Sequence, residues 1–179
     1  IAFTDSQIAR LTDYIDRNGL RDDLFIVLAA DHGESLGEHQ ESTHGFFVYQ
    51  GAVHVPLIVA TPFAGLRGVT SGETVGLVDI MPTVCEMAGL PVPAEVQGRS
   101  LVPSFFAPGA APERLAYSET FYPRYHYGWS DLRSVQDARY KLIIAPVPEL
   151  YDLEKDPGEA KNLVYLEKKV YEDLSARAK

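Results

Sequence analysis

Asp31-His32-Gly33-Glu34 and, further along, Thr43-His44-Gly45 gather side chains that can hold a cation or move a proton. A carboxylate beside a neutral imidazole offers one hard oxygen and one borderline nitrogen, half of a divalent-metal shell. Neighbouring residues point to opposite sides of an ideal strand, so Asp31 and His32 can share one ion only across a sharp turn, and Gly33 supplies the backbone freedom for it. His32, His39 and His44 fall within 13 positions. Glu34, Glu38 and Glu41 crowd the same stretch, an arrangement that repels itself unless a cation or basic partners are present. A lone Asp-His pair at a strand end is more often a cap and a surface histidine. Three histidines on a glycine-punctuated loop weigh the balance toward a cation site, because titratable groups seldom cluster there for packing.

The elements that must carry this loop are legible on both sides of it. Phe3, Ile8, Leu11 and Ile15 fall near one helical face over residues 3–18, with Asn18-Gly19 as the stop. Residues 24–30 then form a near-continuous apolar run of strand length that ends at Asp31, and residues 56–60 form a second. Such runs predict parallel strands buried on both faces of an α/β layered sheet, whose ligands sit past the carboxyl ends of the strands. Beyond residue 64, Gly65, Gly68 and Gly72 mark a turn-rich connection, with residues 65–68 a plain turn. Asp79 is placed to cap a helix through Met87, with Cys85 as a small buried packing residue in it.

Pro91, Pro93, Pro103, Pro108 and Pro112 crowd a long ordered connection. Alternating patterns at residues 132–135 and 139–144 predict an antiparallel hairpin, residues 151–153 an edge strand, and Leu163, Leu166, Val170 and Leu174 one face of a closing helix capped by Asn162. Arg133, Arg139 and Lys141 read as a solvated hairpin face, and His54 as a scaffold residue. The aromatic run from Tyr122 to Trp129 fits either a rim that stacks on a sugar or aryl group or, slightly better, packing between sheets.

The chain of 179 residues, 46% hydrophobic and 23% charged, suffices for a core. A formal charge of −9 argues against nucleic acid as a partner. A single cysteine excludes an internal disulfide and a thiolate zinc framework, and no apolar run approaches the roughly 20 residues that span a bilayer. The chain opens on Ile1-Ala2-Phe3, directly on a helical pattern, and so reads as an internal or C-terminal piece of something longer. The compartment stays open among periplasm, secretion and cytoplasm.

Residues 31–39, Thr43-His44-Gly45 and Val55-Pro56-Leu57-Ile58-Val59 together resemble the C-terminal half of the sulfatase family in the alkaline phosphatase superfamily. The likeness extends to the opening helix from Thr4 to Leu11, to Asp79-Ile80-Met81-Pro82-Thr83, to Gly98-Arg99-Ser100-Leu101, and to residues 149–159. It implies an α/β fold: a partial alkaline-phosphatase-like sandwich over residues 1–112, then a small antiparallel sheet and terminal helix over 113–179.

The resemblance also implies Asp31 and His32 as ligands of one divalent metal, calcium first, with manganese or zinc made more credible by the imidazole. It places His44 where a basic residue holds the sulfate oxygens and helps the leaving group depart, a role that needs His44 protonated or donating through one nitrogen. His39 is implied at the pocket rim as a further substrate-binding residue. The family nucleophile, a Cys or Ser in Cys/Ser-x-Pro-x-Arg converted to formylglycine, has no counterpart in these 179 residues. The expectation is therefore the C-terminal portion of a sulfatase acting on a sulfate ester of a small molecule or glycan, inert in isolation. Its apolar sheet edges would favour a homo-oligomer. The alternatives are a phosphonate monoester or phosphodiester hydrolase of the same superfamily and a noncatalytic binding module.

Overall fold

The computed structural model describes residues 1–66, 68–109 and 112–178. Arg67 in the turn read at 65–68, and residues 110 and 111 of the proline-rich connection, lie outside the described residues. Helix α1, Ala2–Arg17, ends where the Asn18 side-chain amide donates to the Tyr14 carbonyl at 2.8 Å and Gly19 takes φ +64°. Of its apolar stripe only Ile15 is buried, while Phe3 and Leu11 face outward.

Strands β1, Ile26–Ala29, and β2, Leu57–Ala60, pair with each other, Ile26 opposite Ala60 and Ala29 opposite Leu57. The pairing is antiparallel, which corrects the parallel arrangement expected from the apolar runs. A continuous apolar run records burial and not direction, so the pattern could not decide this. Nor are the two strands buried on both faces: β1 is half-buried, and Ile58 of β2 is exposed. A four-residue helix α2, Gln50–Val53, lies between them in sequence.

Helix α3, Ile80–Met87, begins after Asp79 as expected, but the Asp79 carboxylate caps no α3 amide. Completely buried, it accepts the N–H groups of Gly76 at 2.8 Å and Arg99 at 2.9 Å and pairs with the Arg114 guanidinium. Thr83 on α3 donates to the Asp79 carbonyl and accepts the Leu101 N–H at 2.9 Å. This network binds residues 79–83 to residues 98–101. A methyl on Gly98 would stand 1.9 Å from the Val78 carbonyl oxygen, so only glycine fits. Cys85 on α3 is half-buried, less enclosed than expected.

A short helix α4, Val102–Phe106, precedes the second sheet. Its strands β3, Ala116–Thr120, β4, Leu132–Gln136, β5, Tyr140–Ile144, and β6, Glu149–Asp152, pair antiparallel in chain order, with helix α5, Tyr122–Tyr127, between the first two. One face packs Val135, Leu142 and Leu150 against Val164 and Leu174, the latter on the closing helix α6, Lys168–Arg177. The helix starts later than expected. Asn162 instead accepts the N–H groups of Leu150 and Val164 and donates to the Pro148 carbonyl, so it fastens β6, and Leu166 is exposed.

The other face of the sheet places Ile143 and Tyr151 against Val48. Lys141 lies two residues from Ile143 and so projects to that same covered face, which overturns its expected place on a solvated surface. Its side chain is fully buried, 2.8 Å from the Glu159 carboxylate, whose second oxygen accepts the Gln50 N–H at 2.6 Å. Burial pulls the Lys141 ammonium below its ordinary range, and Glu159 opposes the shift. Arg139 is no free surface charge either: it makes a two-pronged pair with the buried Asp152, while Arg133 pairs with Asp131.

Two stability outcomes are expected in urea unfolding. Lys141→Met or Glu159→Leu alone strands a buried charge and costs about 3–5 kcal/mol, and the double variant recovers most of it; additive losses would refute the pairing. Hydrogen bonds from Arg139 hold the Asp152 carboxyl below the usual carboxylate range. Its contribution is complete above about pH 4 and is lost as the pH falls through the lower folded value. Asp152→Asn therefore flattens the acid limb of stability against pH.

Candidate active site

The loop that follows β1 is shaped by close backbone approach. Gly33 donates its N–H to the Ala52 carbonyl at 2.7 Å, and a Cβ there would lie 2.1 Å from the Gly51 carbonyl oxygen. Gly33 takes no left-handed φ. Its necessity is therefore the contact with α2 and not the swing of the chain expected from sequence. Ser35, buried beside Gly51, donates its N–H to the Thr43 carbonyl, which folds residues 35–43 back on themselves.

Asp31 and His32 emerge at this turn on one side. The His32 Nδ1 stands 2.8 Å from the Gly33 carbonyl oxygen, a partner that can only accept, so Nδ1 carries the proton and Nε2 keeps its lone pair. That Nε2 is 3.8 Å from Oδ2 of Asp31, while Oδ1 accepts the His32 N–H at 3.1 Å. The Asp31 side chain is 91% exposed and otherwise unengaged among the described residues. Two ligands on one divalent ion, at bonds of about 2.1–2.4 Å, stand roughly 3–4 Å apart. The pair fits one edge of a cation shell. Among the described residues no cluster of three or more His, Cys, Asp or Glu gathers there, so this chain offers two donors and no closed site.

His44 joins them. Its ring stacks on His32 with centroids 3.8 Å apart, and its Nδ1 lies 3.2 Å from both oxygens of Glu34. Facing a carboxylate, Nδ1 donates, which leaves Nε2 as the nitrogen not engaged by Glu34. The Thr43 hydroxyl first, and His44 second, hold the Glu34 carboxyl below its usual range. Glu34 was noticed in the sequence only as one of three crowded acids; here it is the group that orients His44. Of the other two, Glu38 accepts the Leu36 N–H, and Glu41, buried, accepts the Phe46 N–H at 2.8 Å.

His39 is not brought to this cluster. With φ +53° it turns away, stacks on Tyr49 at 3.6 Å, and reaches the Gly158 carbonyl oxygen at 3.1 Å. Tyr49 and Tyr151 both donate to Glu149, at 2.8 and 2.7 Å, and their hydroxyls are pushed up chiefly by burial. His54 is exposed just after α2. Of the aromatic run, Tyr122, Tyr127 and Trp129 gather around Phe46 and stay exposed, beside Arg124, which pairs with Asp131.

The family described as N-sulphoglucosamine sulphohydrolase, C-terminal, matches residues 37–179. The chain belongs to this sulfatase family. A delta 4,5-hexuronate-2-O-sulfatase of Bacteroides thetaiotaomicron is 34% identical over 145 residues, covering 77% of this chain and 30% of the relative. An N-acetylglucosamine-6-O-sulfatase of the same organism is 33% identical over 172 residues, covering 89% and 30%. The phosphonate monoester hydrolase of Agrobacterium radiobacter superposes with a TM-score of 0.81 at 27% identity, over 98% of this chain and 38% of its own. A protein solved in complex with its substrate D-glucosamine-2-N,6-O-disulfate superposes with a TM-score of 0.76 at 28% identity, over 96% and 36%. The chain thus spans about a third of the length of the relatives it matches. Sulfatases and their superfamily generally use a divalent metal, and among the described residues no helix is long and apolar enough to cross a membrane.

Gly33→Ala is expected to lower stability by about 3 kcal/mol, because neither carbonyl nor loop can retreat, whereas Gly72→Ala, with nothing within 4 Å, changes it by less than about 0.5. Equal melting shifts for the two would show that the close approach at Gly33 does not constrain the loop.

Proposed function

We propose that this chain is the C-terminal portion of a sulfatase that hydrolyses a sulfate monoester of a sugar, using a divalent metal. The observation that carries the reading is the group at the end of β1. Two free donor atoms 3.8 Å apart share one side of a turn, with a carboxylate-oriented histidine stacked against them. The names of the relatives, a hexuronate sulfatase and an N-acetylglucosamine sulfatase, support a sugar as the organic part.

In this reading Asp31 Oδ2 and His32 Nε2 hold the cation; calcium is the first choice, and the imidazole suits manganese or zinc. When bound, the ion neutralises charge on the sulfate oxygens. Glu34 holds the His44 ring through its Nδ1–H, and His44 acts as the imidazolium, its Nε2–H donated to the ester oxygen as the sulfur–oxygen bond breaks. Sulfate ester and water give alcohol and hydrogensulfate, and the proton delivered to the alcohol is returned to His44 from that water. The attacking group, a formylglycine by family resemblance, belongs to residues outside this chain. His39, anchored on Tyr49, is assigned to the pocket rim. With two donors and no nucleophile motif, the chain alone is inert. Its outward-facing Phe3, Leu11 and Ile58 are covered in the longer enzyme and drive self-association without it.

A second reading is favoured by the superposition on the phosphonate monoester hydrolase. Matched 4-nitrophenyl sulfate and phenylphosphonate esters separate the two: preference for the phosphonate would replace the sulfatase assignment.

In the longer enzyme, Asp31→Asn and His32→Ala should each lower kcat/KM at least ~100-fold and weaken metal retention on dialysis. His44→Gln should cost about 10²–10⁴ on a sugar sulfate but much less on 4-nitrophenyl sulfate, whose leaving group needs no proton. Equal losses on both esters would remove His44 from proton transfer.

A further inference from the structure

The aromatic residues of and around α5 are the sequence feature that the reaction leaves unused. Phe46, only two residues beyond His44, is the hub. Tyr122 packs edge-on to it with centroids 5.0 Å apart, Tyr127 lies at 5.5 Å and Trp129 at 6.5 Å, and Tyr127 and Trp129 stand 5.1 Å from each other. Such rings normally vanish into a core, yet Tyr122, Tyr127 and Trp129 remain 40%, 52% and 61% exposed. The group is fixed to the active-site loop, not hung beside it. Thr120 donates to the Gly45 carbonyl, and a Cβ on Gly45 would meet the Tyr122 ring at 3.9 Å. Gly45, adjacent to His44, has φ +104°, so the chain turns there from the histidine cluster onto the aromatic one.

Two arginines stand at the edge of the cluster. Arg124 and Arg133 both pair with the single carboxylate of Asp131, at 3.4 and 3.0 Å, and both are about half exposed. Arg133 also stands opposite Glu119 in the β3–β4 register, so the two guanidinium groups of this rim face two carboxylates. An exposed aromatic surface edged by half-exposed guanidinium groups suits a ring with one apolar face and polar substituents that accept hydrogen bonds, as hydroxyl and sulfate oxygens do.

We propose that Tyr127 and Trp129, steadied on Phe46, form the platform on which the sugar ring of an anionic, sulfated monosaccharide stacks while its ester reaches His44. The proposal rests on the sulfatase reading above and adds the residues that select the organic part. Tyr127 and Trp129 are specificity residues here, with no part in the bond-breaking step.

Trp129 is the single tryptophan of the chain, so its fluorescence reads the platform directly and independently of turnover. Titration of the protein with glucosamine 6-sulfate should give a saturable change in emission. Inorganic sulfate should give none, and methyl glucoside should bind at least fivefold more weakly. Tyr127→Ala should weaken glucosamine 6-sulfate at least fivefold with an unchanged thermal melt. In the longer enzyme the same variant should raise KM for the sugar sulfate at least fivefold and leave kcat within twofold. Unmoved emission, an equal response to inorganic sulfate or to methyl glucoside, or a Tyr127→Ala titration like that of the unaltered protein each overturns the platform. A platform that binds the sulfated sugar in an enzyme that prefers phosphonates overturns the sulfatase reading and leaves the platform standing.

Discussion

Taking an ammonium and a carboxylate out of water costs several kcal/mol per ion, so a buried pair persists only where both groups are held in place by further bonds. Lys141 and Glu159 meet at the junction of three segments, β5, the loop after β6, and the start of α2; Glu159 has the further bond, from the Gln50 N–H, and Lys141 has the ion pair with Glu159. Glu159 reaches the Gln50 N–H from a left-handed backbone, φ +53°, which a non-glycine residue adopts at some cost and which brings its carboxylate across to the facing segment. Gln50 begins the helix against which Gly33 packs. A chain of direct contacts therefore runs from the second sheet, through α2, to the turn that bears Asp31 and His32.

The contacts that pin the backbone of the turn and its loop are backbone to backbone or backbone to carboxylate. Gly33 touches Gly51 and Ala52, Ser35 bonds Thr43, and Glu41 receives the Phe46 amide. Hydrogen bonds of this kind set position without filling volume, which suits a site whose working atoms must stay open. The three side chains given chemical roles face outward, and those that support them are buried or engaged. Tyr49 belongs to the second set: it packs on His39, bonds Glu149, and lies in the segment leading into α2, so the second sheet steadies the loop at two separate points. The antiparallel sheet is thus a brace for the active-site loop as well as the support of the aromatic platform.

Much of this was legible in residues. The apolar runs marked β1 and β2, the hairpin of β4 and β5 followed from alternation, and the Asp-His-Gly turn stood out because it opens a glycine-punctuated loop that carries two more histidines. What escaped shares a cause: each depended on a partner distant in sequence. Lys141 reads as surface because its covering loop, around Val48 and Gln50, lies far upstream. Asp79 reads as a helix cap because Arg99 and Arg114 cannot be placed beside it from the pattern. The direction of β2 against β1 is not encoded in apolar runs at all. Gly33 was recognised as necessary for the wrong reason, since a glycine required for φ and one required for close approach look alike in sequence.

The open geometry of the cation edge follows from the same constraint. A strand end can present two neighbouring side chains to one side only by turning, and this turn is pinned by Gly33 against α2. Further ligands from this loop would have to come from Glu34, Glu38 or Glu41, yet each is committed: to His44, to the Leu36 amide and to the Phe46 amide. Each of the acids that seemed in sequence to demand a cation takes a protein donor, although Glu41 Oε2 stays buried without one, while the two least constrained donor atoms, Asp31 Oδ2 and His32 Nε2, face outward. Affinity for a divalent ion rises with the number of preorganised donors, so an edge of two would hold an ion loosely unless other residues completed the shell. In the proposed reading, metal binding and docking of the segment that bears those residues would be coupled, because the ion would be one of the contacts joining the segment to this region.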